Sequence, residues 1–237
     1  MESKDTTWNP EWSISADDSV RYVQCMEEIK NRLTAAWSMF GNNTHSTPFQ
    51  ATNIEFACLQ IRKILELIAL ASLSANKEEY SKQHANFFKH WRAKAILEAV
   101  EKVNPHFYPT PTEEVGDPRA EIRDLSMRAE GYLTKEEFTA VYDLCSQTLH
   151  ASNPYGEKID YSFLEKEIPV WLEKIKKLLN THMVLLLNKK EALFIILRSQ
   201  QDGQVKGTIF QKKEDPTPEN IAEAKKRRES YLANKKK

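Results

Sequence analysis

Ile54 to Leu73 reads IEFACLQIRKILELIALASL, a stretch with apolar side chains on nearly every side of a helical wheel. A helix that is apolar all round has no solvent face, so this one is expected at the centre of a helical core. Thr52 followed by Glu55 has the spacing of a capping box, which predicts a start near Asn53 and a run to about Ser74. The few polar residues inside it carry information. Glu55, Arg62 and Glu66 fall on one edge of the wheel, where they form either a solvated i, i+4 strip or a charged edge facing a partner helix, a second subunit or a polar cleft.

Outward from that helix, Val20, Val23, Met26, Ile29, Leu33, Trp37 and Phe40 recur every three or four residues and predict a helix over about 17–40, ended by Gly41-Asn42. On the other side, a short polar link leads to a helix over about 86–103, with Phe87, Phe88, Trp91, Ile96 and Val100 inward and Asn104-Pro105 as its stop. The proline-rich segment 105–133 reads as a long irregular insertion with a short helix near 120–127. Thr134 with Glu137 repeats the capping-box spacing and opens a helix to about Leu149. A longer helix is expected over about 162–188, with Pro169 near its start. The period then changes: Leu193–Leu197, the turn signal Asp202-Gly203 and the β-branched Val205–Phe210 predict a hairpin. The expected fold is therefore all-α, an up-and-down bundle of about five helices with a long loop insertion and a small C-terminal β-hairpin. Its parts are an N-terminal arm (1–16) carrying Trp8 and Trp12, a helical domain (17–211) and a basic tail (212–237).

Composition narrows the function classes. With 237 residues, 41% of them hydrophobic, and 34 Lys and Arg against 34 Asp and Glu, the chain can bury a core and is no polycationic nucleic-acid binder. The tail is basic against a mildly acidic body; its Lys225–Arg228 and Lys235–Lys237 read as a solvated terminus or as contacts to phosphates. No apolar run is long enough to span a bilayer, the start has no signal-peptide pattern, and three cysteines in helical patterns suit a reducing compartment, so a cytoplasmic location without membrane contact is expected. No His pair has metal-site spacing and no glycine-rich phosphate loop occurs, so no metal and no cofactor are expected.

The candidate site lies at the end of the helix over 134–149. Asp143, Ser146 and His150 share a face there, off the Phe138/Cys145 core stripe. A single helix stacks them in a row, which is not serine-triad geometry. Read blandly, His150 caps carbonyls at a helix C-terminus, Asn153-Pro154 is turn chemistry and Cys145 is a buried thiol. A small-molecule hydrolase has only His150 and the nearby acids behind it.

Two stretches, the quoted Ile54–Leu73 and VYDLCSQTLHASNPYG over Val141–Gly156, together resemble the HEPN superfamily of helical domains. Many members are homodimeric, metal-independent ribonucleases of toxin–antitoxin, abortive-infection and phage-defence systems, with an Arg, a polar residue, three variable residues and a His near the end of a late helix. By that resemblance His150 matches the family histidine and Ser146 the polar position, while Cys145 stands where the family has arginine. The family arginine binds the scissile phosphate, so its replacement removes a charge that the transition state needs. Arg62 or Lys63 would have to supply it. The resemblance implies a HEPN-like protein of a bacterial defence or stress system that cuts or binds RNA, a homodimer with a possible protein partner or antitoxin. Its catalytic candidates are His150, Ser146 and Arg62, and its substrate-binding candidates Asn153, Lys63 and Glu66. The alternative is a non-catalytic helical dimer that binds protein or nucleic acid.

Overall fold

A computed structural model describes residues 14–40, 47–83, 93–115, 124–151, 153–156, 158–187 and 190–211, with isolated helical positions between 218 and 229. The arm with Trp8 and Trp12, most of the basic tail, and Phe87, Phe88 and Trp91 lie outside the described residues. Among the described residues up to 211, six helices and five strands follow in the order α1 (Ala16–Ser38), α2 (Gln50–Ala75), α3 (Lys77–Gln83), α4 (Ala93–Val103), β1 (Thr110–Val115), β2 (Asp124–Met127), α5 (Lys135–Thr148), α6 (Tyr161–Leu179), β3 (Thr181–Leu185), β4 (Glu191–Ile196) and β5 (Lys206–Gln211).

The central helix is where its composition put it. α2 touches each of the other five helices. Ile54, Ile61, Ile64, Leu65 and Ile68 are fully enclosed between them. Removing a side chain of that size from such a site costs about 2–5 kcal/mol, through lost burial plus the cavity left behind. Its start differs from expectation. α2 begins at Gln50 after Phe49, with no side-chain cap; the Thr52 hydroxyl donates to the Phe49 carbonyl at 2.9 Å instead of receiving an orphan N–H. The capping box at α5 does form, with Thr134 and Glu137 each satisfying a backbone donor of the other. The expected polar link after α2 holds the short helix α3. Asn104 ends α4 and is itself buried, donating to Asn76 at 2.8 Å and to the Leu185 carbonyl at 2.9 Å, which ties the ends of two helices to β3.

The all-α expectation is overturned. The protein is a mixed α/β structure with a five-stranded antiparallel sheet in the order β2-β1-β3-β4-β5. The predicted hairpin is its β4–β5 edge, turned through Gly203 in a left-handed conformation (φ 70°). Two other segments were misread. The supposed insertion contains β1 and β2, and residues 124–127, expected in a short helix, are a strand. Pro111 is tolerated in β1 because it stands where the strand changes partners: Thr110 and Pro111 pair with β3, and Thr112 to Val115 pair with β2. The helix expected over 162–188 stops at Leu179. Met183 and Leu186 prolong its apolar spacing, yet Thr181–Leu185 alternate between half-buried and buried, as a strand does.

α1 lies between α2 and the sheet. Gly207 of β5 makes this possible: a Cβ there would sit 3.1 Å from Val23 Cγ2 of α1 and 3.3 Å from Ile195 Cδ1. Lys30 donates to the Gly203 carbonyl at 2.9 Å, and the Val205 N–H donates to Glu27 at 2.6 Å. Deeper, the fully buried His182 of β3 bridges Tyr22 of α1 (2.8 Å) and the Leu179 carbonyl (3.0 Å). A carbonyl can only accept, so Nδ1 carries the proton and Nε2 accepts from the Tyr22 hydroxyl. Burial pushes the His182 imidazole down to about 4.

Candidate functional site

α5 and α2 run antiparallel, and their register decides what the predicted site residues meet. Cys58 of α2 meets Cys145 and Thr148 of α5, and one turn further along α2, Arg62 meets Tyr142, further from the α5 C-terminus. Cys145 is fully buried; a hydrogen bond with Cys58 and burial both push its thiol up, far from thiolate chemistry. Where the resemblance expects an arginine, the protein therefore has an interior, protonated thiol.

Arg62 and Glu66 do come together, around Tyr142 of α5. The Arg62 guanidinium lies 5.6 Å from the Tyr142 ring centroid and its Nε donates to Glu66 at 3.2 Å, while the Tyr142 hydroxyl donates to the same carboxylate oxygen at 3.3 Å. Tyr142 precedes the last residue of α5, Thr148, by about 9 Å of helical rise, and His150 lies beyond that end. The structure thus groups Arg62 with Glu66 and Tyr142, and Arg62 does not line the cleft that holds His150. Lys63 is exposed on α2. Glu55, on the expected charged edge, accepts from the Tyr161 hydroxyl of α6 at 3.0 Å.

Ser146 and Asp143 are engaged elsewhere too. The Ser146 hydroxyl donates to the Tyr142 carbonyl of its own helix at 2.7 Å, and Asp143 pairs with Lys94 of α4 at 2.6 Å. Beyond α5, Asn153 closes a turn: its side-chain oxygen accepts from the Tyr155 N–H and its carbonyl from the Gly156 N–H, both at 3.0 Å.

His150 itself is exposed just past the C-cap of α5, where its N–H donates to the Gln147 carbonyl. It borders a cleft of about 330 Å³ between the end of α5, the turn and the start of α6. Leu144, Ile159 and Leu164 form the apolar part of this cleft; Lys158, Asn153 and Phe163 border it with His150. Asp160 is also there, but its carboxylate accepts from the Phe163 N–H at 2.9 Å as the N-cap of α6. That carboxylate sits on the positive end of α6 and compensates it beside the cleft. Phe163 is 45% exposed and Tyr155, on the same turn, 96% exposed. Sequence reasoning missed Lys158, Tyr155 and Phe163. Asp160 was the available signal: as an N-cap it starts α6 at Tyr161 and carries Lys158 and Phe163 to the His150 end of α5.

Among the described residues no group of His, Cys, Asp and Glu is arranged to hold a metal ion, and no helix is long and apolar enough to cross a membrane. No protein-family model matches the chain, and neither the curated proteins nor the solved structures yield a match.

Proposed function

We propose that the protein binds single-stranded RNA at the His150 cleft without cutting it. The observation that carries this reading is the make-up of the α5–α6 junction: an imidazole, an ammonium group and an exposed phenyl ring border one cleft of nucleobase scale. Unpaired bases stack on exposed rings, whereas a duplex keeps its bases inside, so Phe163 and Tyr155 favour single strands. Lys158 supplies attraction for phosphate. The HEPN-like motif ending in His150 is the reason to choose RNA over another planar ligand.

Binding is preferred to cleavage on three counts. The thiol of Cys145 is buried where a cation would be needed, the Ser146 hydroxyl is spent within its own helix, and Arg62 is held against Tyr142.

The test is fluorescence anisotropy with a labelled single-stranded RNA and its duplex in EDTA, followed by electrophoresis of the same samples. Phe163→Ala is expected to weaken single-strand binding by about 1–3 kcal/mol, the usual worth of one stacked base. Lys158→Ala is expected to weaken binding and to flatten its salt dependence by about one phosphate contact. Equal affinity for duplex and single strand would sink the stacking argument. Cleavage abolished by His150→Ala would overturn the non-catalytic part.

A further inference from the structure

The C-terminal end of α6 borders a second and larger cleft, about 550 Å³, at the end of the sheet. Four cations from four separate segments converge on it: Arg128 after β2, Lys177 of α6, Arg198 after β4 and Lys206 of β5. The only carboxylate bordering it among the described residues is Glu113.

Not all of that charge is neutralised within the fold. Arg128 pairs with Glu113 at 3.4 Å and Lys206 with Asp202 at 2.6 Å. Lys177 makes no ion pair among the described residues, its Nζ lying over Gly131. Arg198 donates to the neutral hydroxyl of Thr34 at 2.7 Å, with Glu27 as a more distant carboxylate. The C-terminal dipole of α6 opposes this positive field, yet part of it is already satisfied, since the Leu133 and Asn180 N–H groups bond to the Lys174 and Lys176 carbonyls.

A second observation is independent of charge. Among the described residues three buried side-chain polar atoms have no hydrogen-bond partner, and two of them, Thr112 Oγ1 and Arg128 Nε, belong to residues bordering this cleft. Thr112 is 2% exposed. A buried donor left unpaired costs about 1–3 kcal/mol, so two at one place mark a position where something else accepts from them.

We infer that this cleft binds a phosphate-bearing small anion. Its oxygens accept from the Thr112 hydroxyl and Arg128 Nε–H, and Lys177 and Arg198 meet its charge. A group with several acceptor oxygens and at least two negative charges fits a fork-shaped donor and two further cations better than a carboxylate does. The cleft also has room for more than a lone ion. The inference is independent of the RNA reading, which concerns the opposite end of α6.

The experiment is isothermal titration of the full-length protein in EDTA at low ionic strength, with pyrophosphate and, in a parallel arm, with ADP. Saturable one-to-one binding is expected. Lys177→Gln is expected to weaken it about tenfold, a loss of one charge-assisted contact. Thr112→Val is expected to weaken it about three- to tenfold while leaving the thermal midpoint unchanged or higher, because it removes a hydroxyl that has no partner in the protein. Lys82→Gln, an exposed cation of α3 that does not border the cleft, controls for net charge and should bind as the native protein does. ADP binding more than about tenfold tighter than pyrophosphate would identify a nucleotide as the source of the phosphate; equal affinity would identify a free phosphate anion. No saturable heat with either probe up to about 10 mM, or native-like affinity in both Lys177→Gln and Thr112→Val, would overturn the inference.

Discussion

The two ends of α6 differ in how they use a histidine. At the N-terminal end His150 stands exposed beside a cleft bordered by Lys158 and Phe163, with its backbone merely finishing α5. Just past the C-terminal end His182 is fully enclosed and both ring nitrogens are engaged, so it joins α1 to the sheet and to the end of α6. One imidazole is available to a ligand; the other is part of the structure. The contrast shows that a histidine's place in a sequence motif and its place in the architecture are separate matters: His150 is conspicuous in a short motif, while His182 looked like one more residue of a long helix.

The largest effect that can sharpen this contrast is acid sensitivity. Unfolded, the His182 imidazole protonates near 6.5, and folded only near 4, because burial disfavours its charged form. Between those values the unfolded chain binds more protons, so stability falls as pH drops from about 6.5 to 4 and this contribution levels off below. The loss is on the order of 3 kcal/mol. Urea unfolding at several pH values should show it in the native protein and in His150→Ala, and should show much less of it in His182→Gln. An equal pH slope in His182→Gln would mean that carboxylates, not this histidine, set the acid limit.

A smaller effect separates the two ends of α5. Thr134→Ala removes half of the capping box at the start of that helix and is expected to cost about 1 kcal/mol in stability. RNA affinity should be untouched, because the cleft lies at the far end; a parallel loss of affinity would mean that α5 frays as a whole. The smallest effect is expected from Ser146→Ala. Its hydroxyl donates back into its own helix, so stability should shift by less than about 0.5 kcal/mol and RNA binding should not change. A strong loss of binding would return Ser146 to the site.

Most local features were legible in the sequence, the Thr52/Glu55 capping box that does not form being the exception, and features assembled from distant segments were not. The all-round apolar character of Ile54–Leu73, the Thr134/Glu137 capping box, the stop at Asn104-Pro105 and the Asp202-Gly203 turn are each written within a few consecutive residues, and each appears in the structure. β1 and β2 are short, one contains a proline, and their pairing is decided by partners elsewhere in the chain, so composition suggested a loop. β3 was hidden because Met183 and Leu186 happen to prolong the helical spacing of α6. The candidate site divides in the same way. His150 and the turn at Asn153 could be read directly, whereas Lys158 and Phe163 join them only once Asp160 is recognised as the cap of α6. Thr112, Arg128, Lys177 and Arg198 share no sequence pattern at all; only the packing of the sheet beside the end of α6 brings them together.

The most direct test of the central claim is to irradiate the protein with a single-stranded RNA containing 4-thiouridine and map the crosslinked residues by mass spectrometry. Crosslinks are predicted at Tyr155, Phe163 and His150, on the turn and the first turn of α6. Crosslinks confined to the sheet-end cleft around Arg198 and Lys206, or to the basic tail, would contradict the assignment of RNA to the His150 cleft.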